Sequence, residues 1–347
     1  MKCQQKTKST IGNISFGPLF LSSGEIINEV TLRYERVGPI GAPVILVCHA
    51  LTGNHITVGT NEIPGWWHGL IGKEKYIDTE KFQIITFNIL GGCDGSTGPT
   101  SINPNTNEIY RIEFPSITIR DMVHAQYHAL KRLEIDKLAA IIGGSLGGMQ
   151  VLEWGILYPA MMDKLVLLAA TPFFSDYGIA FNHIALSAIQ NDPDWNGGLY
   201  HETQAVSGLE LARMVGMVTY RSSTLFTERF DRRKRNSGFD VTSYLDYQGQ
   251  KLVQRFDPNS YIYLLQAMDG HDIGEQRGGW QHASQKFKCP LLAISFDNDL
   301  IYEPPLIKAF ADSVVDSSYY HVQTKYGHDG FLTEFEKWGK IVQTFVE

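Results

Sequence analysis

Leu138-Ala139-Ala140-Ile141-Ile142-Gly143-Gly144-Ser145-Leu146-Gly147-Gly148-Met149-Gln150 joins an apolar run, short enough for a buried strand, to a glycine-rich turn. A helical pattern follows at once through Val151, Leu152, Trp154 and Leu157. The G-x-S-x-G spacing from Gly143 to Gly147 is that of a nucleophile elbow. Side chains at the flanks of so tight a turn would collide, and the turn lifts the serine hydroxyl above the sheet edge. The five-residue pattern alone also fits a glycine-rich turn with an incidental serine; the strand before it and the helix after it select the elbow.

With 347 residues, 43% of them hydrophobic, the chain can bury a large core and is expected to form one domain, or a domain carrying an insertion. No apolar segment follows Met1 to Lys8 that could act as a signal peptide, and no stretch approaches a membrane span, so a cytoplasmic enzyme is expected. Cys3, Cys48, Cys93 and Cys289 lie far apart without a C-x-x-C pair and read as reduced and structural. A net charge of −7 argues against general nucleic-acid binding, which needs clustered Lys and Arg. The histidines are scattered and no H-E-x-x-H occurs, so no metal site is expected.

Working outward from the elbow, residues 26 to 37 alternate well enough to suggest an antiparallel edge strand. Val44 to His49 is a continuous apolar run of the kind buried on both faces of a parallel sheet. Gln83 to Asn88 gives a further strand, followed by a Gly/Ser/Thr/Pro/Asn-rich loop from Leu90 to Asn107, long enough to be functional. Ile117, Met122, Ala125, Leu130 and Leu133 fall at helical spacing in the crossover toward Ser145, and Lys164 to Ala169 supplies the next strand. From Phe173 to Lys286 strand-like runs give way to helical patterns at 179–190, 207–221, 241–255 and 258–269. Pro290 to Phe296 and Tyr319 to Gln323 restore the sheet, and a helix rich in Phe335, Trp338, Ile341 and Phe345 closes the chain. The expected architecture is a core of residues 1–172 and 287–347, with 173–286 as a helical lid over the serine. Within the lid, the basic run from Arg229 to Arg235 reads as a solvated face, with a steering patch for an anionic cofactor as the alternative.

A serine hydroxyl is a weak nucleophile at neutral pH and needs a base, with a third group to fix that base. Ser145, Asp299 and His328 occur in the chain order of the α/β-hydrolase fold, both partners following late strands. Asp297 competes for the acidic role. Asp299 is preferred because the loop needs room to turn toward the histidine. The oxyanion hole is expected from the backbone N–H groups of Leu51, in the loop His49-Ala50-Leu51-Thr52-Gly53, and Leu146, the residue after the nucleophile. His49 reads as a brace of that loop rather than a chemical participant. The fold expectation is therefore an α/β-hydrolase fold, a mostly parallel central sheet with an inserted helical lid.

Several motifs together resemble the homoserine O-acetyltransferase family: His49 to Gly53, Gly95-Ser96-Thr97-Gly98-Pro99, Gly143 to Gln150 with Glu153-Trp154, Gly208-Leu209 with Ala212-Arg213, Thr219-Tyr220-Arg221-Ser222, and Gly327 to Leu332. They span nearly the whole chain. Leu146 stands where the family commonly has Met, and Glu303 intervenes before Pro304 in the acid loop. The resemblance implies acetyl transfer from acetyl-CoA, as co-substrate with no permanently bound cofactor, to L-homoserine on the route to methionine. It also implies that Arg213 receives the homoserine carboxylate, that Asp329 receives the ammonium, that Tyr220 lines the pocket, and that the protein is a homodimer through the lid. A donor such as succinyl-CoA, an acceptor such as serine, an esterase or thioesterase, and a catalytically dead binding fold are the readings it has to be separated from.

Overall fold

The computed structural model describes residues 9–201, 204–235 and 238–347; Met1 to Lys8, including Cys3, lie outside the described residues, as does the side chain of Arg235. The main sheet has eight strands: β1 (Thr10–Phe16), β2 (Val30–Val37), β3 (Val44–Cys48), β4 (Gln83–Phe87), β5 (Ala140–Gly144), β6 (Leu165–Leu168), β7 (Leu291–Phe296) and β8 (Ser317–Val322). Their order is β1-β2-β4-β3-β5-β6-β7-β8. The pairs β1–β2 and β2–β4 are antiparallel and every other pair is parallel.

Residues 26–37 contain the long strand that the alternation suggests, but it is not the edge. β2 is paired on both sides, and the edge is β1, whose half-solvated sequence carries little apolar signal. Alternate residues of each central strand enter opposite layers. Leu46 and Cys48 of β3 pack beneath the elbow helix, whereas Ile45 and Val47 face Trp338 and Val342 of the closing helix. This two-sided burial is why those strands read as unbroken apolar runs.

The helices are α1 (Ile119–Arg132), α2 (Leu146–Leu157), α3 (Asp176–Gln190), α4 (Ser207–Thr219), α5 (Ser223–Phe230), α6 (Asp240–Val253), α7 (Pro258–Asp269), α8 (Trp280–Ser284), α9 (Pro304–Ser313) and α10 (Phe335–Val346). Between β6 and β7 the chain is mainly helical, with α4 packed between α3 and α6. It is not free of strand: Lys234–Arg235 and Gly238–Phe239 form a short antiparallel pair that the apolar pattern does not reveal. Arg229, Arg232, Arg233 and Lys234 of the basic run are exposed, and Arg229 lies 4.5 Å over the Tyr244 ring.

Glu153, buried on the elbow helix, accepts a bidentate contact from Arg277 at 2.7 and 2.9 Å and a third from Arg120 at 3.2 Å. It thereby ties the return segment after α7 to the helix that carries the serine. Fully engaged carboxylate–guanidinium forks hold geometry well. No described helix is long and apolar enough to cross a membrane, and no described group of His, Cys, Asp and Glu could hold a metal ion. Cys48, Cys93 and Cys289 are free thiols; burial pushes Cys48 and Cys93 up, the latter to about 12, which suits inert packing residues.

Candidate active site

Ser145 sits between β5 and α2 with φ 58° and ψ −129°, a conformation costly for a residue with a side chain. The glycines around it are required by close approach. A Cβ on Gly143 would meet the Gly147 carbonyl oxygen at 2.4 Å, and a Cβ on Gly147 would meet the Cys48 carbonyl oxygen at 2.1 Å. The second contact brings the elbow directly onto the end of β3, where the loop from His49 to Gly53 begins.

That loop is held by buried hydrogen bonds. His49 Nδ1 donates to the Ala50 carbonyl at 2.8 Å while Nε2 accepts the Ile89 N–H at 3.1 Å. Both ring nitrogens are committed, and burial lowers the imidazole to about 4, so His49 is a neutral brace. Gln150 donates to the His49 carbonyl at 3.3 Å and accepts from Gln126 at 2.7 Å. Gln126 in turn accepts from the Trp154 indole at 2.8 Å. The elbow helix and the loop that carries Leu51 are thus joined by a continuous buried polar chain. Leu51 lines the cavity that contains Ser145, and Leu146 opens α2, whose first amides lack intrahelical acceptors.

His328 and Asp299 meet. His328 Nδ1 donates to Asp299 Oδ2 at 2.8 Å, and Asp299 Oδ1 accepts the N–H groups of Ile301 and Tyr302 at 2.9 and 3.0 Å. Asp297 is elsewhere: its carboxylate is partly exposed and lies 3.9 Å from His321. The amides of Ile301 and Tyr302 thus hold the Asp299 carboxylate against His328.

The contact of Tyr302 with His328 was not signalled by any motif. Its ring stacks on His328 with centroids 5.0 Å apart and planes 26° apart, while Phe331 meets the imidazole edge-on at 5.2 Å. Phe331 also packs on Gly144, where a Cβ would come within 2.6 Å of its ring. Tyr302 lines the Ser145 cavity, and its hydroxyl is buried without a hydrogen bond of normal geometry, the Ser145 side chain being a neighbour.

Arg213 of α4, which follows Ala212 of the cavity wall, lies 5.8 Å over the ring of Tyr220, another wall residue, and its Nε is buried without a hydrogen-bond partner. Tyr220 is itself 5.7 Å from the His328 ring; burial raises its phenol, with Arg213 opposing. Asp329 follows His328, donates its N–H to the Tyr220 carbonyl at 3.0 Å, and accepts Arg221 Nε on Oδ2 at 2.7 Å. Arg221 extends the motif that contains Tyr220, and its pairing with Asp329 was not legible from spacing.

The chain as a whole is similar to known proteins. Residues 43–335 match the α/β hydrolase fold family. A homoserine O-acetyltransferase from Carboxydothermus hydrogenoformans is 41% identical, the alignment covering 96% of this chain and 94% of that protein. This chain belongs to the homoserine O-acetyltransferase family. The crystal structure of the homoserine O-acetyltransferase from Bacillus anthracis superposes with a TM-score of 0.93 at 25% identity, over 98% of both chains. Esterase E22 superposes with a TM-score of 0.91 at 25% identity, over 98% of this chain and 100% of that one. The same fold is thus shared by a protein named as a homoserine O-acetyltransferase and by one named as an esterase.

Proposed function

We propose that this chain transfers an acetyl group from acetyl-CoA to the hydroxyl of L-homoserine, in methionine biosynthesis, by way of an acetyl-Ser145 intermediate. The observation that carries the reading is the 41% identity to a homoserine O-acetyltransferase across nearly the whole of both chains. The buried, unpartnered Nε of Arg213, beside the cavity residue Tyr220, supports an acceptor with an anionic group.

In the first half-reaction His328 takes the Ser145 proton as Oγ bonds to the thioester carbon, and the amides of Leu51 and Leu146 hold the oxyanion. Collapse breaks the carbon–sulfur bond, and the thiol leaves with the proton from His328. In the second, the homoserine hydroxyl gives its proton to His328 and attacks the acetyl carbon. The bond to Ser145 Oγ breaks and the proton returns to it. Asp299 holds the imidazole tautomer throughout. Arg213 takes the acceptor carboxylate; Asp329, positioned by Arg221, offers its other oxygen to the ammonium. Tyr220 forms a wall between them.

Helices between residues 173 and 286 act as a lid over the core formed by 1–172 and 287–347. The serine cavity, about 30 Å³, leaves little room for water beside a bound acetyl group. Exposed Tyr177 and Ile184 on α3, with Leu211 and Val218 on α4, give the lid an apolar outer face that supports a homodimer. A cytoplasmic location belongs to this reading, and the kinship with a biosynthetic enzyme supports it.

An esterase is the second reading, favoured by the superposition on esterase E22. The test is the rate of thiol release from acetyl-CoA with and without homoserine. Transfer requires a marked stimulation by homoserine with stoichiometric O-acetylhomoserine; a hydrolase releases thiol at one rate in both. Running succinyl-CoA and serine alongside tests the choice of donor and acceptor.

A further inference from the structure

The acyl donor cannot be accommodated at the serine. A cavity of about 30 Å³ holds the reacting end of a thioester, and the rest of the molecule has to lie outside it. A second cleft, about 530 Å³, has the size of an ordinary ligand pocket and opens between the long loop after β4 and the lid. Its walls include Thr100 and Arg111 from the loop, Gln204, Val206 and Leu209 at the start of α4, and Arg255 after α6.

Two elements are common to the two spaces. Helix α4 contributes Leu209 to the cleft and Ala212 and Gly216 to the serine cavity, one and two turns further on. Arg255 Nη1 donates to the Thr52 carbonyl at 2.9 Å, and Thr52 follows Leu51, which lines the serine cavity.

The cleft also has the right charge. Arg255 is exposed and spends one of its donors on Thr52; Arg111 donates through Nη1 to the Tyr200 carbonyl. A guanidinium has five N–H donors in a planar fork, so both retain donors suited to phosphate oxygens. The cleft's carboxylate, Asp257, is occupied: Oδ1 accepts the Ser260 N–H at 2.7 Å and Oδ2 the Tyr200 hydroxyl. Val206 and Leu209, both buried, back the adjoining wall. The cleft beside α1, about 420 Å³, offers no such site, because Arg120 is consumed by Glu153 and by the carbonyls of Asp272 and Glu275.

We infer that the cleft walled by Thr100, Arg111, Val206, Leu209 and Arg255 binds the phosphorylated arm of the thioester donor, with Arg255 and Arg111 on its phosphates. This rests on the coenzyme A donor proposed above. The arm runs past Thr52 and delivers the thioester to Ser145 beneath the Leu51 amide. Binding involves no bond making or breaking.

The test compares acetyl-CoA with S-acetyl-N-acetylcysteamine, which keeps the thioester but lacks phosphates, using homoserine as acceptor. Two variants are made on the cleft surface: Thr100→Trp, which narrows the mouth, and Arg255→Gln, which removes one cation. The readout is the ratio of kcat/KM for the two donors, which cancels any change at the oxyanion loop common to both. In Arg255→Gln the ratio falls about tenfold, the loss expected for one charge-assisted hydrogen bond, and it falls in Thr100→Trp as well. A ratio unchanged in both folded variants overturns the inference; should Thr100→Trp fail to fold, an unchanged ratio in Arg255→Gln does so alone. A wild-type protein that takes acetyl from the short thioester but never from acetyl-CoA overturns the donor assignment instead, and does so before any variant is compared.

Discussion

The ring of Tyr302 lies flat on the imidazole of His328, centroids 5.0 Å apart, three residues after the aspartate that hydrogen-bonds the same imidazole. One short loop thus sets both the tilt of the imidazole and its tautomer. Tyr302→Phe keeps the stacking surface and removes a buried hydroxyl that completes no normal hydrogen bond. It should leave kcat within about threefold of wild type and hold or raise stability by up to about 1 kcal/mol. Tyr302→Leu, which abolishes the stack, should lower kcat with little change in KM. Steady-state kinetics and thermal melting on the two variants check this.

Asp299→Asn should lower kcat by about 10³ to 10⁴, because an amide no longer fixes the donor tautomer at His328 Nδ1. Asp297→Asn should change kcat by less than about twofold, since its carboxylate sits on His321 at the sheet edge. The reverse ranking in parallel assays would move the acidic role to Asp297.

Arg213→Ala should preserve the first thiol burst from acetyl-CoA while slowing acyl transfer to homoserine by about a hundredfold, the cost of an unpaired carboxylate. Arg213→Lys should recover little, because an ammonium cannot reproduce the guanidinium fork. Rapid-quench measurement of both half-reactions decides it; equal loss in the two steps would contradict the role.

Burial lowers His49, His55 and His271 from 6.5 to about 4. In that interval the unfolded chain binds more protons than the folded one, so stability falls as pH drops from about 6.5 to about 4 and levels off below it. His49 alone accounts for at most about 3 kcal/mol of this loss. Melting temperature should decline with falling pH through that window, and His49→Gln should flatten the slope by one proton's worth.

The elbow was legible because it combines a strand, a helix and glycines forced by contacts of 2.1 and 2.4 Å. Central strands such as β3 and β5 were legible because burial on both faces leaves no polar position in them. Ser145, Asp299 and His328 could be ordered along the chain, and the bracing role of His49 followed from its loop. The edge was misplaced because β1, solvated along most of its length, has no apolar periodicity to read. The contacts of Tyr302 and Arg221 were not legible for a different reason. Stacking on an imidazole and pairing with Asp329 depend on where loops cross in space, and neither leaves a trace at fixed spacing. The same holds for Arg255, whose partner is Thr52, some two hundred residues away.

The account turns on an acyl group carried by Ser145. Protein incubated with acetyl-CoA alone and digested for mass spectrometry should show one acetyl adduct, on the peptide containing Ser145, that vanishes on adding homoserine as O-acetylhomoserine forms. Unmodified Ser145 under these conditions, together with a Ser145→Ala variant that still acetylates homoserine at the wild-type rate, would contradict it.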